Sequence, residues 1–480
     1  ARTPLTSPTS APRTTMAAAG VFTGLQCFID SIMYASNVFA GSPDLAIAIQ
    51  SSLVGYALMQ LFVTYFSGVR VLIAPVSYEV IPFLVSLSAI VRAAVPAAAL
   101  TPTMLAASCV VNGLAALLLG LLSFLPISAA FMAKLLPPVL QSGVMATVGW
   151  GIYTLAFDSL SVPGPNEAIA AAWASSGDGL ALLEQGARLS LPAHALGLGL
   201  WLASRRTSHP ALFPTFALLL TATTHIVRLA TGTSLAQART GHWLMEEAEG
   251  QPFWTLWTKG LLSGGVRWDV LMQADALKEL VSAVLFGPVI NTVLNLVLVE
   301  PVIGESPDVP HELRAHAAGT LAAAVGGGYS NYLAVSNTAI HIKCGGRTKA
   351  SCYVGALVAA LFFCVHPLFI VVGYVPTLLA AATCVYIGID FLWDNLVSPA
   401  FEGVGGAAAI YIIFAIMLRF GTLNGVLGCV LAFQVWGASS RALGLEPEAP
   451  EGWEPSGGKE GGFVRTGSQG KGLGKGRKAE

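Results

Sequence analysis

Apolar stretches follow one another along almost the whole chain, separated by short polar turns, and this pattern leaves few folds open. A run of about 20 apolar residues crosses a hydrocarbon core of roughly 30 Å as a helix. In lipid each backbone N–H and C=O must be satisfied inside the protein, which favours helices. Only 11% of the 480 residues are charged and 54% are hydrophobic, whereas soluble domains carry about 25% charged residues. The chain is therefore read as an all-α integral membrane protein that crosses the bilayer many times. A formal net charge of −1 argues against a nucleic-acid partner, because binding phosphate backbones needs a basic surface. The 51 glycines suit helices that pack closely in lipid.

Spans are expected near 19–40, 45–67, 76–95, 101–124, 134–157, 188–205, 209–231, 276–300, 311–325, 332–343, 350–373, 376–396, 404–419 and 421–440, about fourteen in all. Residues 1–18 read as a disordered or transit-like tail. Positions 1–15 hold Ser, Thr, Pro and Arg but no acid, a composition that does not separate those two readings. Residues 441–480, rich in Gly, Glu and Lys, read as a disordered cytosolic tail. Two polar insertions, 158–187 and 232–275, interrupt the spans. Trp243, Trp254, Trp257 and Trp268, all within 232–275, read as interfacial belt residues. With a cytosolic N-terminus the inner loops carry Arg70, Lys134, Arg205, Arg206, Lys343, Arg347, Lys349 and Arg441. The outer insertion 158–187 has acids but no Lys or Arg. That bias places both termini in the cytosol without saying which membrane is crossed.

One stretch, Tyr332 to Ile342, is too short to cross the bilayer as a helix, and the glycines Gly326-Gly327-Gly328 stand before it. A short helix opened by glycines inside a membrane protein can turn its free N–H groups, at the positive end of its dipole, toward a substrate. Polar groups inside other spans mark the same function. Asp30, Ser31 and Tyr34 interrupt the first span, and Pro75, Ser77, Tyr78 and Glu79 open the third. Pro75 favours a helix start. Asp30 is the hardest to treat as packing, because a buried carboxylate needs a partner or a proton. Asn291 and Asn295 in the eighth span read as interhelical glue, and His225 and Arg228, one turn apart, as a local pair. Two echoes run through the chain. Leu72-Ile73-Ala74-Pro75-Val76-Ser77 is similar to Tyr332-Leu333-Ala334-Val335-Ser336, and Gly151-Ile152 with Leu155 to Gly388-Ile389 with Leu392. Each pair lies an odd number of spans apart, the mark of an inverted repeat. No HExxH, GxSxG, Walker loop or CxxC pair occurs, so no catalytic residues, metal site or cofactor are assigned and the chain is not read as an enzyme. Of the seven cysteines, Cys27, Cys109, Cys364, Cys384 and Cys429 lie in apolar runs as small core residues.

Together these residues resemble the sulfate permease (SulP) family of anion transporters over about residues 19–440. Ile29-Asp30-Ser31-Ile32-Met33-Tyr34-Ala35 is similar to the family's first-span IPQSLAYA-like run. Ile73-Ala74-Pro75 stands where the family has a Gly-Pro, and Pro138-Val139-Leu140-Gln141-Ser142-Gly143 resembles its fifth-span pattern. Ser336-Asn337-Thr338-Ala339 through Gly345-Gly346-Arg347-Thr348-Lys349 resembles its S-R-S…G-G-K-T-Q stretch, preceded by Glu312-Leu313-Arg314-Ala315 with Gly319. The resemblance implies two inverted halves of seven spans, a core domain moving against a gate domain in an elevator-like shift, and half-helices at the third and tenth spans. The implied substrate site is Asp30, Ser31, Tyr34, Ala74, Pro75, Val76, Ser77, Ser336 and Asn337. Asp30, Glu79 and Glu300, acids placed in or at the end of a span, are read from the sequence itself as the candidate coupling acids.

Asp30 stands where the family often has Gln, and Asn337 where many members have Arg, so the site loses a cation and gains an acid. Residues after Arg441 are too polar for a packed STAS domain, which turns the likeness toward STAS-less relatives. The expected function is a secondary transporter of a small inorganic anion such as sulfate, bicarbonate or molybdate, with proton coupling raised by Asp30. An uncoupled anion channel and a carrier of neutral or weakly acidic solutes are the alternatives on the same fold. The anion and the lipid bilayer are the partners, and the sequence leaves a homodimer open.

Overall fold

The computed structural model describes residues 13–39, 42, 44–125, 137–160, 162, 165, 179–207, 212–245, 247–248, 250–402, 404–442, 453–455 and 463–465. Its chain divides into two units, residues 1–127 with 147–392, and residues 128–146 with 393–480. In the first unit lie helices α1 (Arg13–Val38), α2 (Leu45–Phe66), α3 (Ile81–Ala94) and α4 (Ala97–Leu122). Helix α5 (Pro138–Ser159) runs across the boundary between the units. The first unit continues with α6 (Gly179–Arg206), α7 (Leu212–Ala230), α8 (Ala274–Val284) and α9 (Ile290–Leu298). It ends with α10 (Val309–Gly326), α11 (Val335–Lys343), α12 (Lys349–Cys364) and α13 (Thr377–Leu392).

Small residues set the packing. A Cβ on Gly20 would lie 2.4 Å from the Ser351 carbonyl oxygen, and one on Gly24 2.5 Å from Val358 Cβ, so α1 and α12 meet through bare backbone. Helix α10 packs against α2 and α4, with Gly319 leaving room for Met59. Helix α6 lies on α13, where Gly197 faces the Ala382 carbonyl.

Local chemistry explains where the helices start and stop. Asp308 accepts from the His311 N–H and Pro310 occupies the first turn, which together begin α10. Pro288 has no N–H to bond back, and α8 and α9 are joined there by a π-turn at Leu285–Val289. The Asn291 side chain donates to the Phe286 carbonyl at 2.6 Å within that turn. Pro367 follows a break after α12, where a 3₁₀ segment, His366–Tyr374, leaves at 92°.

Several expected boundaries move. Residues 13–18, placed in the tail, belong to α1, since Ala17-Ala18-Ala19 favour helix. The third helix starts at Ile81, well after Pro75, because the residues between pair with another segment. Gly326-Gly327-Gly328 close a helix and do not open one: Gly327, at φ 79°, is the left-handed residue that ends α10. Insertion 232–275 is folded onto the unit, with a capping box at Ser234 and Gln237. Its Trp257 donates to the Gly326 carbonyl at 3.1 Å, so Trp257 is half-buried packing, while Trp243, Trp254 and Trp268 are exposed.

Among the described residues five helices are long and apolar enough to cross a membrane, or six if the bent pair 349–374 is one span. Helices such as Ile81–Ala94 are apolar but shorter. The protein is an integral, multi-pass membrane protein.

In the second unit α14 (Val404–Phe420) packs on α15 (Thr422–Ala442), with Gly425 against Met417. Gly143 makes room for Ile413, and the Tyr411 hydroxyl donates to the Leu396 carbonyl. Two three-residue strands, β1 (Trp453–Pro455) and β2 (Phe463–Arg465), pair antiparallel within the C-terminal stretch. The remainder of that stretch, expected to be disordered, lies outside the described residues, as do most of insertion 158–187 and positions 1–12.

Candidate functional site

Two extended segments cross in the first unit, one between α2 and α3 (residues 71–77) and one between α10 and α11 (residues 328–334). They run antiparallel, with Val76 opposite Asn331. Ser77 N–H donates to the Ser330 carbonyl (3.1 Å), Tyr332 N–H to that of Pro75 (3.4 Å) and Ala334 N–H to that of Ile73 (3.1 Å). These are the echoing segments of the sequence. The other echo is also a contact, since a Cβ on Gly388 would lie 2.6 Å from Tyr153 Cβ.

Extended backbone surrounded by apolar helices must be satisfied by side chains. The buried Gln60 donates to the Leu72 carbonyl (2.8 Å) and accepts from Ala74 N–H (2.9 Å). Ser51 and Asn112 donate to the carbonyls of Gly327 and Gly328, each at 2.8 Å. Sequence reasoning passed over these three. The signal was present in each as a polar side chain inside an apolar run, with a partner far away in sequence.

Backbone groups of Ala74, Pro75 and Ser77, expected to face a substrate, are engaged within this frame. Val76 pairs with Asn331, and all four residues are buried. At the other segment, Val335 N–H donates to Asn295 Oδ1 at 3.3 Å, and the Asn295 amide donates to the Asn291 carbonyl at 2.8 Å. Asn295 thus joins α9 to the start of α11. Ser336 follows, exposed, and Asn337, half-buried, in the first turn of that helix. Asn295→Ala is expected to lower thermal stability by about 1 kcal/mol, the worth of one such bond, read as a shifted melt of purified protein.

Three tyrosines gather the remaining residues. Tyr34 stacks on Tyr329, ring centroids 3.4 Å apart, and the Tyr329 hydroxyl donates to the Ser77 carbonyl at 2.9 Å. Asp30 accepts from the Tyr78 hydroxyl at 2.7 Å. Glu79 accepts from Tyr332 at 2.6 Å and from Ser77 Oγ at 3.3 Å. Both carboxylates are buried, at 3% and 4% exposure, and neither is in an ion pair among the described residues. Ser31 turns back onto the Cys27 carbonyl of its own helix. Glu300 stands apart from this cluster. Pro301 follows it in a separate short helix, Glu300–Ile303, and its exposed carboxylate accepts from Ser306. Tyr78 was noted as a polar group opening the third span, but Tyr329 and the Tyr332 phenol were not among the expected site residues, and the pairing of the two segments brings them in.

No family model and no curated protein matches this sequence. Solved structures do. The transmembrane domain of the cyanobacterial bicarbonate transporter BicA aligns at TM-score 0.57 and 18% identity, over 85% of this chain and 97% of that one. SLC26A9 aligns at TM-score 0.56 and 13% identity, over 87% of this chain and 65% of that one. The inward-facing murine Slc26a9 anion transporter aligns at 0.57 and 14%, over 89% and 70%. The chain has the fold of these SulP/SLC26 transmembrane domains.

Proposed function

We propose that this protein is a secondary transporter of a small inorganic anion, of the sulfate, bicarbonate or molybdate kind, with its site where the two extended segments cross. The observation that carries this reading is the fold shared with the transmembrane domains of a bicarbonate transporter and of an anion transporter. Both sequence echoes being contacts in the fold supports two inverted halves of seven spans, with α3 and α11 as the half-helices. The substrate contacts in this reading are Ser336 and Asn337 at the start of α11, with Asp30, Ser31, Tyr34 and Ser77 behind them. The crossing segments carry the anion by an elevator-like movement, the termini face the cytosol, and Asp30 and Glu79 couple the movement to protons.

A second reading follows from the two buried acids, neither of which is in an ion pair among the described residues: carboxylates beside amides also suit a neutral or weakly acidic solute. Proteoliposomes carrying the purified protein separate the readings. Saturable uptake of labelled sulfate, bicarbonate or molybdate, faster with an inward proton gradient, is expected. Continuous current without dependence on a counter-ion would make it a channel. Uptake of a nucleobase but of no anion would establish the second reading.

A further inference from the structure

Proton coupling accounts for the charge of Glu79 but not for the two donors that its carboxylate holds. Glu79 lies in the turn between the first extended segment and α3, and its carboxylate is 4% exposed. One oxygen accepts from Tyr332 of the opposite segment at 2.6 Å, and the other accepts from Ser77 Oγ at 3.3 Å. A phenol O–H and a serine O–H converging on two oxygens of one planar carboxylate form a donor set suited to a small oxyanion. Here the chain's own side chain fills it.

An incoming anion would find these donors in use and a like charge between them. No Lys, Arg or His is paired with Glu79 among the described residues to offset that charge. Around it stand Ser77, Tyr78, Tyr332 and Tyr329, whose hydroxyl bonds the Ser77 carbonyl, and beyond Tyr78 the second carboxylate, Asp30.

We propose that Glu79 is a tethered anion, an internal carboxylate that occupies the oxyanion position of the empty protein and competes with the transported anion for Tyr332 and Ser77. This rests on the anion-transport reading and adds to it a residue that sets affinity from inside the site. The bound anion then replaces a carboxylate hydrogen bond for hydrogen bond, as a small planar or tetrahedral oxyanion can.

Binding of sulfate and of bicarbonate to the purified protein, measured by calorimetry, tests this directly. Glu79→Gln and Glu79→Ala are expected to bind the oxyanion about tenfold or more tightly than wild type, because a like charge has left the site. Adding Tyr332→Phe to Glu79→Gln should remove that gain. In Glu79→Ala, added formate or acetate should re-enter the vacated position and compete with sulfate, while wild type stays insensitive to both. A merely structural glutamate would not produce that competition. If Glu79→Ala fails to fold, Glu79→Gln, which keeps a side chain of the same shape, decides the matter together with its Tyr332→Phe double variant, since only competition for Tyr332 makes the gain depend on that phenol. Unchanged or weaker oxyanion binding in the folded variants, or no formate competition in Glu79→Ala, overturns the tethered anion and leaves the transport reading standing. If wild type and every variant bind no anion while a neutral solute binds, the transport reading itself falls.

Discussion

Gly328→Ala is expected to lower the melting temperature of the purified protein sharply and to abolish substrate uptake. A Cβ at Gly328 would lie 2.3 Å from Gly55 Cα, 2.7 Å from Gly55 N and 3.0 Å from the Ala323 carbonyl. These are backbone atoms of α2 and α10, and no side chain can rotate to relieve them. The segment is also pinned on its other sides. Asn112 donates to the Gly328 carbonyl, Tyr329 N–H donates to the Ser51 carbonyl, and Ser77 N–H donates to that of Ser330. Relief must therefore come from moving the crossing itself, at an overpacking cost at or above the upper end of about 1–3 kcal/mol. Misplacing a site by ~1 Å can cost about 10²-fold in rate, so function should fall further than stability. Gly55→Ala should behave alike, since its Cβ would lie 2.5 Å from the Tyr329 carbonyl. Gly113→Ala in α4 is the control: nothing lies within 4 Å of its Cβ position, and a mid-helix Gly-to-Ala change there should stabilise by about 0.5–1 kcal/mol. Equal melts for Gly113→Ala and Gly328→Ala would mean that Gly328 does not lie against the backbone of α2 as described.

That close approach shows where sequence reading stops. Asp30 and Tyr34 were legible as buried polar groups in an apolar helix, and residues 332–343 as too short to span. The three glycines were legible as special but their direction was not. A glycine in the left-handed region can end a helix as readily as one beside it can free a backbone for contact, and Gly327 does the first while Gly328 does the second. Pro75 is suited to a helix start, yet helix α3 waits until Ile81, because Ile73, Pro75 and Ser77 find partners across the crossing. Such pairing depends on register between segments far apart in sequence. Local composition carries no information about that register. Tyr329 and the Tyr332 phenol, and the partner of Tyr78, were hidden for the same reason, since each tyrosine matters through the group it meets. Glu300, at the end of the eighth apolar run, was counted among the coupling acids. Pro301 starts a new short helix there, and the carboxylate ends on the surface.

Asp30→Asn is expected to remove part of the pH dependence of anion affinity, and Asp30→Asn with Glu79→Gln to remove nearly all of it. The two acids are buried side chains of one cluster, linked through the adjacent Tyr78 and Glu79, and no cation is paired with either among the described residues. The sign follows from charge alone. Each carboxylate, once ionised, repels an anion in the site, and once protonated it does not, so affinity should fall as pH rises through each titration. At about 6 Å and an effective dielectric of about 20, one ionised carboxylate costs an anion roughly 3 kcal/mol, or about two decades of affinity. Asp30→Asn holds that position in its neutral form at every pH. The variant should therefore bind at high pH more nearly as wild type does at low pH, with Glu79 supplying the remaining slope. Tyr78 donates to Asp30 Oδ1 and can go on donating to the asparagine oxygen, which makes the change one of charge and not of contact. Affinity measured across pH for wild type, both single variants and the double variant separates the contributions. A double variant that keeps the full wild-type slope would place the proton site elsewhere and leave Asp30 and Glu79 as structural acids held by their tyrosines.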